Sequence, residues 1–256
     1  MIERSLNGMN PKQTDESVVP RRTDEAPTES SANRRYYETL QAVADCSIYR
    51  LEPAEEILFA KYYRPGDRIL DLACGMGRTT LLLHESGYSV RGVDLSEVLI
   101  SAARRRLPYL DLRVGSFTHI EEPDATFSHV LISSNAIDLA LPVSQRMVAL
   151  RECARVLRPG GTLIYSCHNL KALHWFSPRY WRRPLWKLQR TLKAFKPIAL
   201  ISEDDLNGLF AAPKTVISQT ESVGFTFLEM IGSQMSAKPF RNDYRSRFIY
   251  YAFVRR

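Results

Sequence analysis

The chain has 256 residues, 45% of them hydrophobic and 25% charged, with 12 glycines and 14 prolines. Those proportions are those of a globular protein and exclude collagen-like and wholly disordered classes. No apolar run approaches the roughly 20 residues that cross a bilayer, and the first 30 residues hold no apolar core of a secretory signal.

Cys46, Cys74, Cys153 and Cys167 form no CxxC pair and have no zinc-ligand spacing. This excludes a disulfide framework and predicts no metal site; free thiols in a reducing cytoplasm are expected. The formal net charge is +7, yet eight cations lie between His168 and Pro197, where there is no Asp or Glu; without them the balance is 7 − 8 = −1. The basicity belongs to one segment, which argues against nucleic acid as a partner of the whole protein.

Residues 1–33 contain no aromatic side chain and mix charges with Ser, Thr and Pro, the composition of a disordered tail. Order is expected from near Tyr36. A helix is predicted over Leu51–Tyr62, ended by Pro65-Gly66. Apolar strands then alternate with amphipathic helices, which is the pattern of a mostly parallel α/β sheet. Strands are expected at Arg68–Ala73, Ser89–Asp94, Asp111–Val114, His129–Ser133 and Thr162–Cys167. Helices are expected at Arg78–Glu85, Ser96–Arg106 and Val143–Leu157, the last broken by Arg158-Pro159-Gly160-Gly161. After the basic segment come a helix over Pro213–Val223 and two strands, Phe225–Ile231 and Phe248–Arg255. No helix-length pattern separates those strands, so an antiparallel pair is predicted.

The strongest chemistry lies in Arg68-Ile-Leu-Asp-Leu-Ala-Cys-Gly-Met-Gly-Arg78. A buried strand runs into Gly75 and Gly77, where a side chain would block a ligand's approach to the backbone, and a helix N-terminus follows with its unpaired N–H groups. Asp94 ends the next strand, 19 residues after Gly75, where a carboxylate can accept both hydroxyls of a ribose. A nucleoside-containing ligand over the C-terminal edge of the sheet follows. The third glycine of a dinucleotide fingerprint is absent, Thr80 standing in its place. Asp71 inside the strand suits a ligand with a cationic end better than a pyrophosphate.

These residues, with Gly-Val-Asp-Leu-Ser at 92–96 and Arg-Val-Leu-Arg-Pro-Gly-Gly-Thr-Leu at 155–163, resemble class I S-adenosylmethionine-dependent methyltransferases. The resemblance implies a Rossmann-like three-layer sandwich whose seven-stranded, mostly parallel sheet has an antiparallel last strand. It implies S-adenosyl-L-methionine as cofactor, with S-adenosyl-L-homocysteine as product. Asp71 and the turn of Ala73, Cys74, Gly75 and Gly77 would hold the methionyl part, Asp94 the ribose, and Leu95 would flank the adenine. Two departures stand out: Gly115-Ser116-Phe117 where the family often has Gly-Asp, and Phe127-Ser128 where it often has Phe-Asp. Ser116 is expected to bond the adenine and Phe117 to cover it.

Methyl transfer from a sulfonium needs alignment first, and a base only if the acceptor must lose a proton. Ser133, Ser134, Asn135 and Asp138 after strand 4, with His168 and Asn169 after strand 5, occupy the rim where such ligands sit. Ser133 is assigned to the cofactor. His168 is the candidate base because imidazole titrates near neutral pH, and Asp138 is the alternative; each could instead be a structural rim residue. His129 reads as a core residue. The absence of an Asn/Asp-Pro-Pro-Tyr run after strand 4 argues against DNA adenine methylation.

The domain is expected over residues 34–256, with a basic, aromatic lid insert at 168–212. Trp175, Trp181 and Trp186 all lie there. Three roles compete with a plain amphipathic helix: a lid for an acidic acceptor, peripheral contact of 168–197 with an anionic membrane, and RNA binding. The reading is a methyltransferase acting at oxygen of a small-molecule or saccharide-type acceptor. A lipid-linked or RNA acceptor, a nicotinamide-dependent oxidoreductase and a catalytically silent cofactor binder are the alternatives.

Overall fold

The computed structural model describes residues 31–47, 49–172, 196–203, 206–233 and 246–256. The expected tail 1–33 therefore lies outside the described residues up to residue 30, as does most of the lid insert, 173–195, with its three tryptophans. The described chain starts earlier than the composition suggested. Helix α1 spans Ser31–Tyr37 and α2 spans Leu40–Asp45. Thr39 starts α2, its Oγ1 accepting from the Ala42 N–H at 3.1 Å.

Helix α3 (Pro53–Tyr62) begins with Pro at its first position and a reciprocal Glu52–Glu55 capping box. The alternation then follows: β1 (Arg68–Leu72), α4 (Arg78–Glu85), β2 (Ser89–Asp94), α5 (Glu97–Arg106), β3 (Asp111–Val114), β4 (Phe127–Ile132), a 3-10 turn (Ala136–Leu139), α6 (Val143–Val156) and β5 (Leu157–His168). After a separate hairpin, β6 (Ile198–Glu203) and β7 (Leu206–Ala211), come α7 (Pro213–Glu221), β8 (Phe225–Gly232) and β9 (Phe248–Arg255).

The sheet has seven strands in the order β3-β2-β1-β4-β5-β9-β8. β1 to β5 run parallel, and β9 is antiparallel to both β5 and β8, so the expected antiparallel last strand is present. Period-2 alternation divides the core between the two faces. Ile69 of β1 and Leu131 of β4 pack with Leu58 and Phe59 of α3 and Leu83 of α4. Leu70, Leu72, Val130 and Ile132 face the other way, onto Leu150, Cys153 and Val156 of α6 and Val216 of α7.

Two expectations change. Arg158 to Gly161 does not precede strand 5 but is an irregularity within it: Phe127 pairs with Leu157, and pairing resumes at His129 with Thr162. Gly160, at φ +75°, turns the chain there. The insert is also more ordered at its C-terminal end than a lid helix implies. β6 and β7 pair from Ile198–Ala211 to Glu203–Leu206. The hairpin tip meets α1, where Asn33 Nδ2 donates to the Asn207 carbonyl and Asn207 N–H donates to Asn33 Oδ1, both at 2.8 Å. Asn33, expected in the tail, is fully buried.

Among the described residues no helix is long and apolar enough to cross a membrane.

Candidate cofactor site

The site grows from the C-terminal ends of β1, β2, β3 and β4, where an open α/β sheet leaves its crevice. After β1 the chain enters the left-handed region three times, at Ala73 (φ +56°), Gly75 (+55°) and Gly77 (+80°). Ala73 is the one side chain among them, standing where the related motif carries its first glycine. Gly77 is the N-cap of α4. A cavity of about 500 Å³ opens above this turn, a volume suited to one cofactor-sized ligand.

Asp94 is the polar centre of the wall. Its Oδ2 accepts from the Gly75 N–H and its Oδ1 from the Ser96 N–H, both at 2.8 Å. Each carboxylate oxygen has a second lone pair for a hydroxyl donor. Burial raises the Asp94 pKa above the ordinary value against the pull of those two N–H groups. Ala73, Cys74, Gly75, Leu95, Ser116 and Phe117 also line the cavity. Leu95 is half exposed at its rim. Ser116 Oγ accepts from the Thr118 N–H at 3.1 Å and shares a bond of 2.8 Å with Thr118 Oγ1, so it is braced within its own turn. The donor set fits the nucleoside cofactor: a carboxylate for ribose hydroxyls, an apolar Leu95–Phe117 flank for a base, and a side-chain-poor turn for the methionyl chain.

Three residues assigned to the cofactor from sequence are absent from the cavity wall. Asp71 is fully buried and points to α4: its Oδ2 accepts from Thr79 Oγ1 and Thr80 Oγ1, both at 2.6 Å, while Oδ1 has no hydrogen-bond partner. Burial pushes its pKa up to about 6, against those hydroxyls and the nearby Arg78 charge. Asp71 thus ties β1 to the first turn of α4. A Cβ on Gly77 would meet Leu107 and Leu112. Ser133 is drawn away from the cavity by Glu55 and Arg78. It donates to Glu55 Oε1, and Arg78 Nη2 donates to it at 2.7 Å.

That pairing belongs to a polar cluster the sequence reading did not single out. Glu55 is fully buried and takes a bidentate pair from Arg78, with both N–O distances 2.7 Å, and a longer bond from the Tyr250 hydroxyl at 3.3 Å. Arg78 also donates to the Arg50 carbonyl at 2.7 Å. Arg50, Arg78 and Tyr250 reach the cavity wall, as do Tyr36 and Tyr37 of α1. The Arg at position 78 was visible in the motif, but nothing in the sequence pairs it with a glutamate 23 residues earlier.

The two candidate catalytic residues, proposed as alternatives, form one unit. His168 Nδ1 lies 3.0 Å from Asp138 Oδ2, and the His168 backbone N–H donates to the same oxygen at 2.7 Å. The imidazole stacks on Phe210, centroids 4.2 Å apart, and meets Phe248 edge-on at 6.4 Å. Neither member of the pair lines the cavity; Phe248 and Leu139, their neighbours, do. His129 is a core residue, as read: buried, between Thr162 Oγ1 at 2.6 Å and Asp67 Oδ2 at 2.7 Å.

A methyltransferase-domain family model matches residues 69–161. A demethylmenaquinone methyltransferase of Beutenbergia cavernae is 37% identical over 103 residues, 40% of this chain and 41% of that protein. A malonyl-[acyl-carrier protein] O-methyltransferase of Serratia marcescens is 30% identical over 112 residues, 44% of this chain and 42% of that one. The chain thus spans less than half the length of these relatives. Among solved structures, an S-adenosylmethionine-dependent methyltransferase of Methanosarcina mazei superposes with a TM-score of 0.62 at 20% identity, covering 80% of this chain and 98% of that one. With this strand order and this glycine turn, residues 69–161 match a methyltransferase domain, and the fold is that of the superposed methyltransferase.

Proposed function

We propose that the protein transfers a methyl group from S-adenosyl-L-methionine to a hydroxyl oxygen of a small-molecule or saccharide-type acceptor, with His168 as the base and Asp138 orienting it. The observation that carries the cofactor half is Asp94, presented to the cavity between the Gly75 and Ser96 N–H groups. Bound there, the cofactor supplies a methyl group already activated for in-line displacement. The chain's own task is alignment and, for a hydroxyl acceptor, removal of one proton.

The acceptor half rests on the His168–Asp138 pair. The relatives named above differ in acceptor, so this chain's own residues have to supply the reading. A neutral acceptor hydroxyl is a poor nucleophile, and an imidazole braced by a carboxylate is the group type that relieves it of a proton. Phe248 borders both the cavity and the imidazole, which favours an acceptor whose hydroxyl enters along that ring.

The test is calorimetric titration of the full chain with S-adenosylhomocysteine, with NAD in parallel. Binding that Asp94→Ala weakens by roughly tenfold or more supports the reading, each lost charge-assisted hydrogen bond being worth about 1.5–3 kcal/mol. Binding of NAD without S-adenosylhomocysteine overturns it.

A further inference from the structure

We propose that Arg146 is the positioning residue of the candidate base, setting both the tautomer and the ring plane of His168. The inference rests on the reading of His168 as the base.

Arg146 lies on α6, whose buried residues are otherwise Ala149, Leu150, Cys153 and Val156, and it is itself 1% exposed. A full charge in such a stripe is costly unless it is paired, and a buried ion pair contributes little stability over apolar residues of the same volume. The charge is paired here through three hydrogen bonds. Nη2 donates to Asp138 Oδ1 at 3.0 Å and to Cys167 Sγ at 2.9 Å, and Nη1 donates to the Leu209 carbonyl at 2.9 Å.

The first consequence concerns protons. Asp138 is 1% exposed, and a carboxylate that deep needs a paired charge beside it. Arg146 supplies that charge. An ionised carboxylate can only accept, so the Nδ1 that faces Asp138 Oδ2 must be the protonated ring nitrogen. The neutral imidazole then keeps a lone pair on Nε2, the form a base requires. Nε2 has no hydrogen-bond partner among the described residues, and 21% of the side chain is exposed. Without the guanidinium the carboxylate has no counter-charge to keep it an acceptor for Nδ1–H, and a ring proton on Nε2 ends its use as a base.

The second consequence concerns orientation. Phe210 lies against the imidazole face with only 4° between the planes, and it follows Leu209, whose carbonyl Arg146 holds. One guanidinium thus fixes the edge of the ring through Asp138 and its face through β7.

The test is nitrogen-15 NMR of the imidazole nitrogens in the full chain at pH 8, with His168 assigned by comparison with His168→Gln. The wild type should show the proton on Nδ1. In Arg146→Met, and in Arg146→Gln if the first does not fold, the Nδ1–H to Nε2–H ratio should fall by roughly tenfold or more, whereas Arg146→Lys should keep the wild-type form. A wild-type proton on Nε2, or an unchanged tautomer in a folded Met or Gln variant, overturns the proposal. S-adenosylhomocysteine affinity, measured on the same samples, should not change among them. Failure of the wild type to bind that ligand would count against the methyltransferase reading alone.

Discussion

A carboxylate sealed inside β1, with two threonine hydroxyls for partners, titrates unlike one in water. Asp71 is ordinarily half-protonated near pH 3.8, and burial raises it to about 6 in the folded chain. Its contribution to stability is therefore complete below pH 4 and is lost as pH climbs through 6. Asp71→Asn is uncharged throughout. It should match the wild type near pH 4 and exceed it by about 3 kcal/mol at pH 8, read by urea unfolding at pH 4, 6 and 8. A difference independent of pH would show that Asp71 titrates ordinarily. The residue also marks what sequence can disclose. Its position in β1 was legible, but the Thr79–Thr80 pair that captures it lies on the following helix. Spacing alone does not tell a ligand contact from a strut behind it. Ser133 shows the same distance in sequence: its partner Glu55 is 78 residues away.

At the scale of elements, β2 shows how tightly the turn is braced. A Cβ on Gly92 would come within 2.7 Å of Leu112 Cδ2, 2.8 Å of Thr80 Oγ1 and 2.9 Å of Cys74 Sγ. Cys74 lies in the glycine turn and Thr80, on α4, holds Asp71, so a fault on the neighbouring strand reaches the turn. Gly92→Ala is expected to cost about 1–3 kcal/mol of stability and to weaken S-adenosylhomocysteine binding. Unfolding and titration on one preparation check both; unchanged binding in a destabilised variant would mean the turn is independent of β2. The elements from α3 to α6, and α7, β8 and β9 beyond the insert, were legible because period 2 and period 3.6 alternate there with glycine and proline between them. The β6–β7 hairpin was not, because its short strands follow a segment whose cations and aromatics dominate the pattern. The start of β5 was misplaced because Pro159-Gly160-Gly161 is the chemistry of a break as well as of a bulge.

Across the whole molecule, sheet and cavity are joined through the chain's N-terminal end. Tyr36 and Tyr37 of α1 line the cavity that Asp94 also lines. Ser96 Oγ donates to the Tyr37 carbonyl at 2.9 Å, and Asn33 clasps Asn207 on the hairpin that also carries Phe210. None of this was visible in the composition of residues 31–38, where one buried asparagine sits among charged neighbours. The same hairpin carries Leu209, whose carbonyl Arg146 holds. Asn33→Ala should accelerate S-adenosylhomocysteine dissociation by roughly tenfold, for the loss of two hydrogen bonds of about 0.5–1.5 kcal/mol each, as read by stopped-flow displacement. An unchanged rate would mean that α1 does not cover the exit.

The asparagine clasp has a further meaning for turnover. A spent cofactor under a roof leaves no sooner than the roof lifts, whatever its own affinity. Asn33 and Asn207 touch one another rather than the glycine turn, so they can set a residence time without altering recognition. A residence time set in this way would rest on two amides, a timer adjustable by a single substitution, while Asp94 stays where the Gly75 and Ser96 N–H groups hold it.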